Sequence, residues 1–342
     1  MITGNQGYIG KVMTKMMLDK GFNVTGLDTD YYYDCDLEYE EEKETNRLKQ
    51  ITKDIRDVYE EDFEGIDAVC HLAALSNDPL GELAPSLTEE INYLASVKTA
   101  KLAKKMGVKR FLFSSSCSIY GISDEKQLTE ESVMNPITAY AKSKVNTEKD
   151  ISALASDDFS PVFLRNATAY GLSPRLRFDL VLNNLAGYAF TTGKITIKSD
   201  GTPWRPLIHI EDISRAFVAA IEAPARSIHN QFFNVGQNKE NYQIKDIANA
   251  VKNIIPDCDV EYTNEHGSDS RTYNVNFDKI HSTLPGFKPR WDISKGTQEL
   301  YEAFKKCNLT YDEFISRKYT RLKHLNYLIK NNKLNEELHW RQ

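Results

Sequence analysis

Over the first 166 residues, short apolar runs alternate with stretches of helical period, the rhythm of parallel strands joined by crossover helices. Apolar runs at Phe22–Leu27, Leu48–Thr52, Ala68–Leu72, Arg110–Ser114 and Val162–Asn166 predict strands. Helical spacing predicts helices at Tyr8–Lys20, Thr88–Met106 and Ala139–Ala155. Only Met1, Ile2 and Thr3 precede the first glycine. The first strand is therefore either short or begins before the recorded start, and the second reading is preferred. The acidic, tyrosine-rich segment Tyr31–Glu44 predicts a solvated loop, either on the ligand side of the sheet or as a charged excursion without a role.

After Asn166 the rhythm breaks, and Gly171, Pro174, Gly193, Gly201, Pro203 and Pro206 punctuate the chain. This predicts a smaller lobe made from 167–205 and 237–304, with 206–236 returning to the first domain at 1–166. Beyond 304 lies a helical extension with nine Lys/Arg against four Asp/Glu. Tyr311–Lys330 predicts a helix whose apolar stripe is Phe314, Ile315, Leu322, Leu325 and Leu328, to pack on the body or on a neighbouring subunit.

Composition narrows the classes. The chain of 342 residues has room for one α/β domain and a smaller lobe. A net charge of -6 gives no global basic field for nucleic acid. No apolar run approaches the roughly 18 residues of a membrane span, and the first residues lack the basic and apolar regions of a secretory signal. Cys35, Cys70, Cys117, Cys258 and Cys307 are scattered and odd in number, against a disulfide framework or a zinc site. The expected compartment is the cytoplasm, and no metal is expected.

Gly4-Asn5-Gln6-Gly7-Tyr8-Ile9-Gly10 is a GxxGxxG loop between a strand and an amphipathic helix. A dinucleotide needs such a loop because its diphosphate lies against bare backbone N–H groups at a helix N-terminus. Asp28, where the next strand should end, can accept hydrogen bonds from ribose hydroxyls and repel a 2′-phosphate, which favours NAD over NADP. Asp54, followed by Ile55, is either an adenine-side contact or a helix N-cap. The small residues of Leu72-Ala73-Ala74 would let backbone approach the middle of the cofactor, and His71 before them reads as structural. The fold expected is α/β, a Rossmann-type doubly wound parallel sheet with a smaller C-terminal substrate-binding lobe.

Tyr140 and Lys144 are four residues apart on one helix face. An ammonium there favours the phenolate of a tyrosine that is otherwise a poor base at neutral pH, and the charge of a nicotinamide adds to it. Such a phenolate can take a hydroxyl proton while hydride leaves the same carbon. The strand Arg110–Ser114 ends in hydroxyls, and Ser116 can hold the reacting oxygen.

In combination these motifs resemble the extended short-chain dehydrogenase/reductases, the NAD-dependent epimerase/dehydratase family of nucleotide-sugar enzymes, over residues 1 to about 305. The resemblance implies NAD held by Gly4, Gly7, Gly10, Asp28 and Asp54, and catalysis by Tyr140, Lys144 and Ser116. The family's dehydratases follow the catalytic hydroxyl with Asp-Glu; here Cys117 and Ser118 stand there, which argues against 4,6-dehydration. Its 3,5-epimerases place a cysteine where Ser118 stands, so Cys117 reads as a strand-end residue more than a proton shuttle. The family's substrate-contacting Asn falls on Thr168, with Asn166 two residues earlier. Arg205 and Arg271 resemble the family's two diphosphate-binding arginines, and Arg177, like Arg175, is a further candidate. The activity implied is nucleotide-sugar epimerisation at C4. A 4-keto reductase or dehydrogenase with net redox, and a non-catalytic NAD sensor, are the alternatives. A homodimer is implied, with Thr88–Met106 and Ala139–Ala155 in a four-helix interface.

Overall fold

The computed structural model describes residues 1–37, 45–76, 84–123, 125–263 and 271–341. Its centre is a parallel sheet of seven strands, and every pairing in it runs the same way. Six are β1 (Ile2–Thr3), β2 (Val24–Asp28), β3 (Leu48–Thr52), β4 (Ala68–His71), β5 (Arg110–Ser116) and β6 (Ser160–Asn166). After β7 (Thr168–Tyr170), β8 (Lys194–Ile197) and β9 (Trp204–His209), the chain returns as β10 (Gln231–Val235) beside β6. The order β10-β6-β5-β4-β1-β2-β3 reverses direction between β1 and β4, the crevice where open α/β sheets bind ligands. The first strand has only two residues, yet it pairs with both β2 and β4.

The central strands read as continuous apolar runs because both faces are covered. Alternate residues feed opposite cores: Leu112, Val162 and Leu164 enter one, while Phe111, Phe113 and Phe163 enter the other. Helix α1 (Tyr8–Asp19) buries Tyr8, Gly10, Met13, Thr14 and Met17, a stripe at helical spacing. On the opposite face, α2 (Ala95–Lys105) packs against α3 (Ala139–Ser152). The predicted helix Thr88–Met106 is not uniform: a π-helical turn at Glu89–Leu94 precedes α2. There Asn92 exchanges two hydrogen bonds with Leu75, at 2.7 and 3.1 Å, fixing the chain after β4.

Three helices belong to a third core over the sheet's carboxyl edge: α4 (Val181–Thr192), α6 (Ile244–Lys252) and α7 (Ile293–Lys306). Between them in sequence, α5 (Ile210–Glu222) packs on α1. β9 lies between β7 and β11 (Asn241–Gln243), and β8 pairs with β12 (Asp259–Tyr262). The small sheets escaped the apolar pattern because their strands are three to six residues long.

Two expectations are corrected. The helix predicted over Tyr311–Lys330 is broken into Tyr311–Phe314, a 3-10 turn at Arg317–Tyr319, and α8 (Arg321–Lys330). Ser316 caps the turn by accepting the Lys318 N–H, and the Tyr319 carbonyl is taken by the Phe178 N–H at 2.9 Å. The extension packs on the body, where Phe314 and Tyr319 join the third core while Leu325, Leu328 and Leu334 join a core of the large sheet. For the same reason Tyr31–Glu44 is not a solvated loop throughout: Tyr31, Cys35 and Leu37 are buried. Residues 38–44 of that segment lie outside the described residues.

Candidate active site

One cavity of about 630 Å3 opens at the carboxyl ends of the central strands, a size suited to ligand sites. Its floor is the glycine loop. Gly4 has φ +75°, and a Cβ there would lie 2.8 Å from Ala73 N, so the turn and the passage beside β4 both require glycine. A Cβ on Gly10 would sit 2.0 Å from Gly4 O, which welds helix α1 to the loop. Gly7 is the N-cap of α1 and offers no side-chain cap, leaving the helix N–H groups for an anion. Gly4, Gly7, Tyr8, Ile9 and Gly10 line the cavity, whereas Asn5 and Gln6 do not. Asn5 is buried and bonds Gln50, and the Gln6 N–H reaches Asp28 Oδ2 at 2.9 Å.

Asp28 lines the cavity at the end of β2. Burial raises its carboxyl pKa, and the N–H groups of Asp30 and Gln6 oppose that rise. Asp54 caps the turn Ile55–Asp57 through the Arg56 N–H at 2.8 Å, and its carboxylate also grips the Arg56 side chain. Burial raises its pKa, but the Arg56 bonds outweigh burial and the net shift is downward. The cap and the cavity wall are thus the same residue, with Ile55 beside it. Leu72, Ala73 and Ala74, just after β4, also line the cavity. His71 does not; its Nδ1 meets Thr3 Oγ1 at 2.9 Å and its Nε2 meets Ser96 Oγ at 2.8 Å. Burial, then the charge of Lys144, lowers its pKa to about 3, so it is a neutral structural link.

Ser116, Tyr140 and Lys144 meet in the same cavity. Thr138 caps α3 by accepting the Ala141 N–H, which starts the helix so that Tyr140 and Lys144 share the face toward β5. Lys144 Nζ donates to Ser114 O at 2.7 Å and lies 5.5 Å from the Tyr140 ring centre. Burial brings the Lys144 pKa down to about 7. A negative charge nearby, such as a phenolate, favours its ammonium form. Ser116 Oγ accepts the Ser118 N–H at 3.1 Å, which aims the hydroxyl.

Other predicted residues sort cleanly. Ser118, Asn166, Thr168, Arg177, Arg205 and Arg271 line the cavity. Cys117 points the other way: buried among the sheet's core residues, its Sγ donates to Arg165 O at 3.1 Å, and burial pushes its thiol pKa up. Arg177 is held by Asp179 through bonds of 2.8 and 3.1 Å, while Arg205 donates to the Arg271 carbonyl. Arg175 lies outside the cavity and pairs with Asp30 and Asp36. Polar atoms here are left short of partners. Among the described residues, Ser118 Oγ, Asn166 Oδ1 and Arg321 Nη1 are buried without a hydrogen bond, which suits a wall that meets a polar ligand.

Sequence reasoning missed Tyr31, Tyr32, Ser76, Tyr273 and Arg321, all on the wall. For Arg321 there was a signal. It shares the stripe of Leu325 and Leu328 at i, i+4 and i+7, so a charge falls on an apolar face. Asp34, Cys35 and His324 also come together, with ligand atoms within 4.8 Å of one another. Arg317 donates to both Asp34 and His324 at 2.7 Å, so this cluster already holds a cation, a guanidinium.

Residues 1–236 match the model of the NAD dependent epimerase/dehydratase family, and the chain belongs to that family. A UDP-glucose 4-epimerase of Bacillus subtilis is 25% identical over 283 residues, 74% of this chain and 81% of its own. A dTDP-D-glucose 4,6-dehydratase of Mus musculus is 23% identical, over 90% of this chain and 88% of that one. Among solved structures, UDP-glucose 4-epimerase from Thermotoga maritima with UDP-glucose superposes with TM-score 0.77 at 23% identity, covering 90% of this chain and 99% of that one. UDP-glucuronic acid 4-epimerase from Bacillus cereus, in complex with UDP-glucuronic acid and NAD, gives 0.75 at 23%, covering 89% and 98%. These structural likenesses are likenesses of fold. Among the described residues, no helix is long and apolar enough to cross a membrane.

Proposed function

We propose that this chain is an NAD-dependent nucleotide-sugar epimerase acting at C4. The observation that carries the reading is the convergence, in one cavity, of a glycine loop, Asp28 at the end of β2, and Tyr140, Lys144 and Ser116. Gly4, Gly7 and Gly10 with the N-terminus of α1 would hold the dinucleotide diphosphate, and Asp28 the adenosine ribose. Arg205 and Arg271 would hold the diphosphate of the sugar nucleotide, and Ser118, Asn166 and Thr168 would meet the sugar.

When bound, NAD supplies the hydride acceptor, and in the return step the donor. Tyr140 takes the C4 hydroxyl proton at its phenolic oxygen and gives it back after the keto-sugar has turned. Lys144 holds that oxygen anionic through its charge, and Ser116 fixes the reacting oxygen opposite Tyr140. Expelling water from the sugar would need a further acid near these hydroxyls. Among the described residues, the carboxylates on the wall are Asp28, Asp54 and Asp179, the first two at the end of β2 and just after β3, where the adenosine would lie, and the third tied to Arg177. That arrangement favours epimerisation over dehydration, although relatives of both kinds match. A second copy of the chain is expected to pair through α2 and α3, near which Leu94 and Ile137 are exposed.

The test is turnover of sugar nucleotides in deuterated water, with products separated by chromatography and read by NMR. The expected product is the C4 epimer with no deuterium at C4 and no net rise in reduced nicotinamide. Stoichiometric accumulation of reduced nicotinamide would instead make the protein a dehydrogenase.

A further inference from the structure

The cavity wall contains a charge that this mechanism does not use. Arg321, the first residue of α8, is only 2% exposed and lines the cavity. Its Nη2 donates to the Arg175 carbonyl at 2.8 Å, and its guanidinium lies 4.1 Å from the centre of the Tyr32 ring. Its Nη1 is buried with no hydrogen-bond partner among the described residues. Leaving a buried donor unpaired is costly, and more so when it is charged. Among the described residues no carboxylate hydrogen-bonds it: Asp179 attracts it through space but is held by Arg177, and Asp30 and Asp36 pair with Arg175. Burial, with the nearby charge of Arg177 adding to it, pulls its pKa below the usual arginine value against the opposing pull of Tyr32 and Asp179. A dry guanidinium short of one acceptor is a receptor for an anion.

The chain path indicates which anion. Tyr8, the first residue of α1, donates from its hydroxyl to Gly171 O at 2.7 Å, and Ser173 Oγ donates to Tyr8 O at 2.8 Å. Segment 171–178 therefore roofs the helix N-terminus, and Arg321 is bonded to that roof at Arg175. We infer that Arg321 binds the diphosphate of the dinucleotide from the side opposite the glycine loop, which makes the C-terminal extension part of the cofactor site. A planar guanidinium gives the directed donors this requires.

The extension is fastened over the loop that follows Asp28. Trp340 Nε1 donates to Thr29 O at 2.8 Å, Tyr31 OH donates to Leu338 O, and Arg317 bonds Asp34 at 2.7 Å. A dinucleotide seated beneath it leaves only after these bonds open, so release is slow, which suits a cycle that regenerates its own oxidant. The inference rests on the NAD reading above. A sugar nucleotide also carries a diphosphate, and the experiment separates the two sources.

Full-length protein freed of nucleotide is titrated calorimetrically with NAD, ADP-ribose, AMP and UDP. Arg321→Gln is expected to weaken NAD and ADP-ribose by about 10- to 100-fold while leaving AMP and UDP within about threefold. A loss confined to UDP would move Arg321 to the sugar nucleotide and overturn the assignment. Equal losses for AMP and ADP-ribose, or no loss at all, would also overturn it. If the wild type itself takes up no NAD, the functional reading fails; if it does and the variant matches it, only the role of Arg321 fails. Should the Gln variant not fold, a crystal structure of the wild type with NAD decides. A phosphoryl oxygen in hydrogen-bond reach of Arg321 upholds the contact, and a guanidinium turned away from the diphosphate refutes it.

Discussion

The floor and the roof of the cavity are built by different rules. The floor is written locally: Gly4, Gly7 and Gly10 lie within seven residues, Tyr140 and Lys144 within five, and each group follows a strand of the large sheet. The roof is assembled from distant segments, with Arg321 meeting Arg175 across 146 residues and Tyr8 meeting Gly171 across 163. A floor made of short motifs serves a chemistry common to many ligands. A roof made of long-range contacts can differ from one chain to the next without disturbing that chemistry.

The comparison breaks most visibly at the floor. Tyr140→Phe keeps the ring and removes the oxygen proposed to exchange the proton. Turnover of the true sugar nucleotide is expected to fall about 10²- to 10⁴-fold, the usual contribution of a positioned acid–base group. Calorimetry should find NAD binding little changed. Undiminished turnover would remove Tyr140 from the chemistry and leave the floor a binding surface only.

At the roof the expected loss is one of stability. Leu325 and Leu328 on α8 are fully buried in the same core as Phe111, Phe113 and Phe163 of the large sheet. Leu325→Ala should therefore lower global unfolding free energy by about 2–5 kcal/mol in denaturant melts, as cavities in packed cores do. A separate early transition, with the main one unmoved, would show that the extension is an appendage and would sharpen the contrast instead.

The two regions also differ in how far sequence reveals them. Strand-flanked glycines, the YxxxK pair and the hydroxyl-ended β5 are legible because one local rule fixes both their position and their chemistry. The arginines were legible only as candidates: sequence separates neither Arg177 on the cavity wall from Arg175 outside it, nor the acid that each has taken up. Cys117 stands next to Ser116 in sequence but faces the core, because adjacent residues at a strand end point to opposite sides. Tyr31–Leu37 reads as solvated by composition, yet Tyr31 and Cys35 are buried and both bond His324 of α8, nearly three hundred residues away. Composition has no means of registering such a partner.

The smallest effect tests the fastening between these two segments. Arg317 and Asp34 are each about a third exposed, so solvent screens their 2.7 Å pair. Arg317→Ala should cost only about 1 kcal/mol at neutral pH, shared with the stacking of its guanidinium on Tyr327 at 3.9 Å. The sign of its pH dependence is fixed. Burial raises the Asp34 pKa, but the Arg317 contacts outweigh that and hold it below the ordinary 3.8. The folded chain therefore keeps Asp34 charged at pH values where the unfolded chain protonates it. The pair's stabilisation is fully present above the ordinary value and is lost as pH falls through the depressed one. Paired denaturant melts of wild type and variant should converge over that acid range and stay parallel above it. A gap that is unchanged in acid would assign the fastening to the ring contact and leave the ion pair without a part in holding the roof.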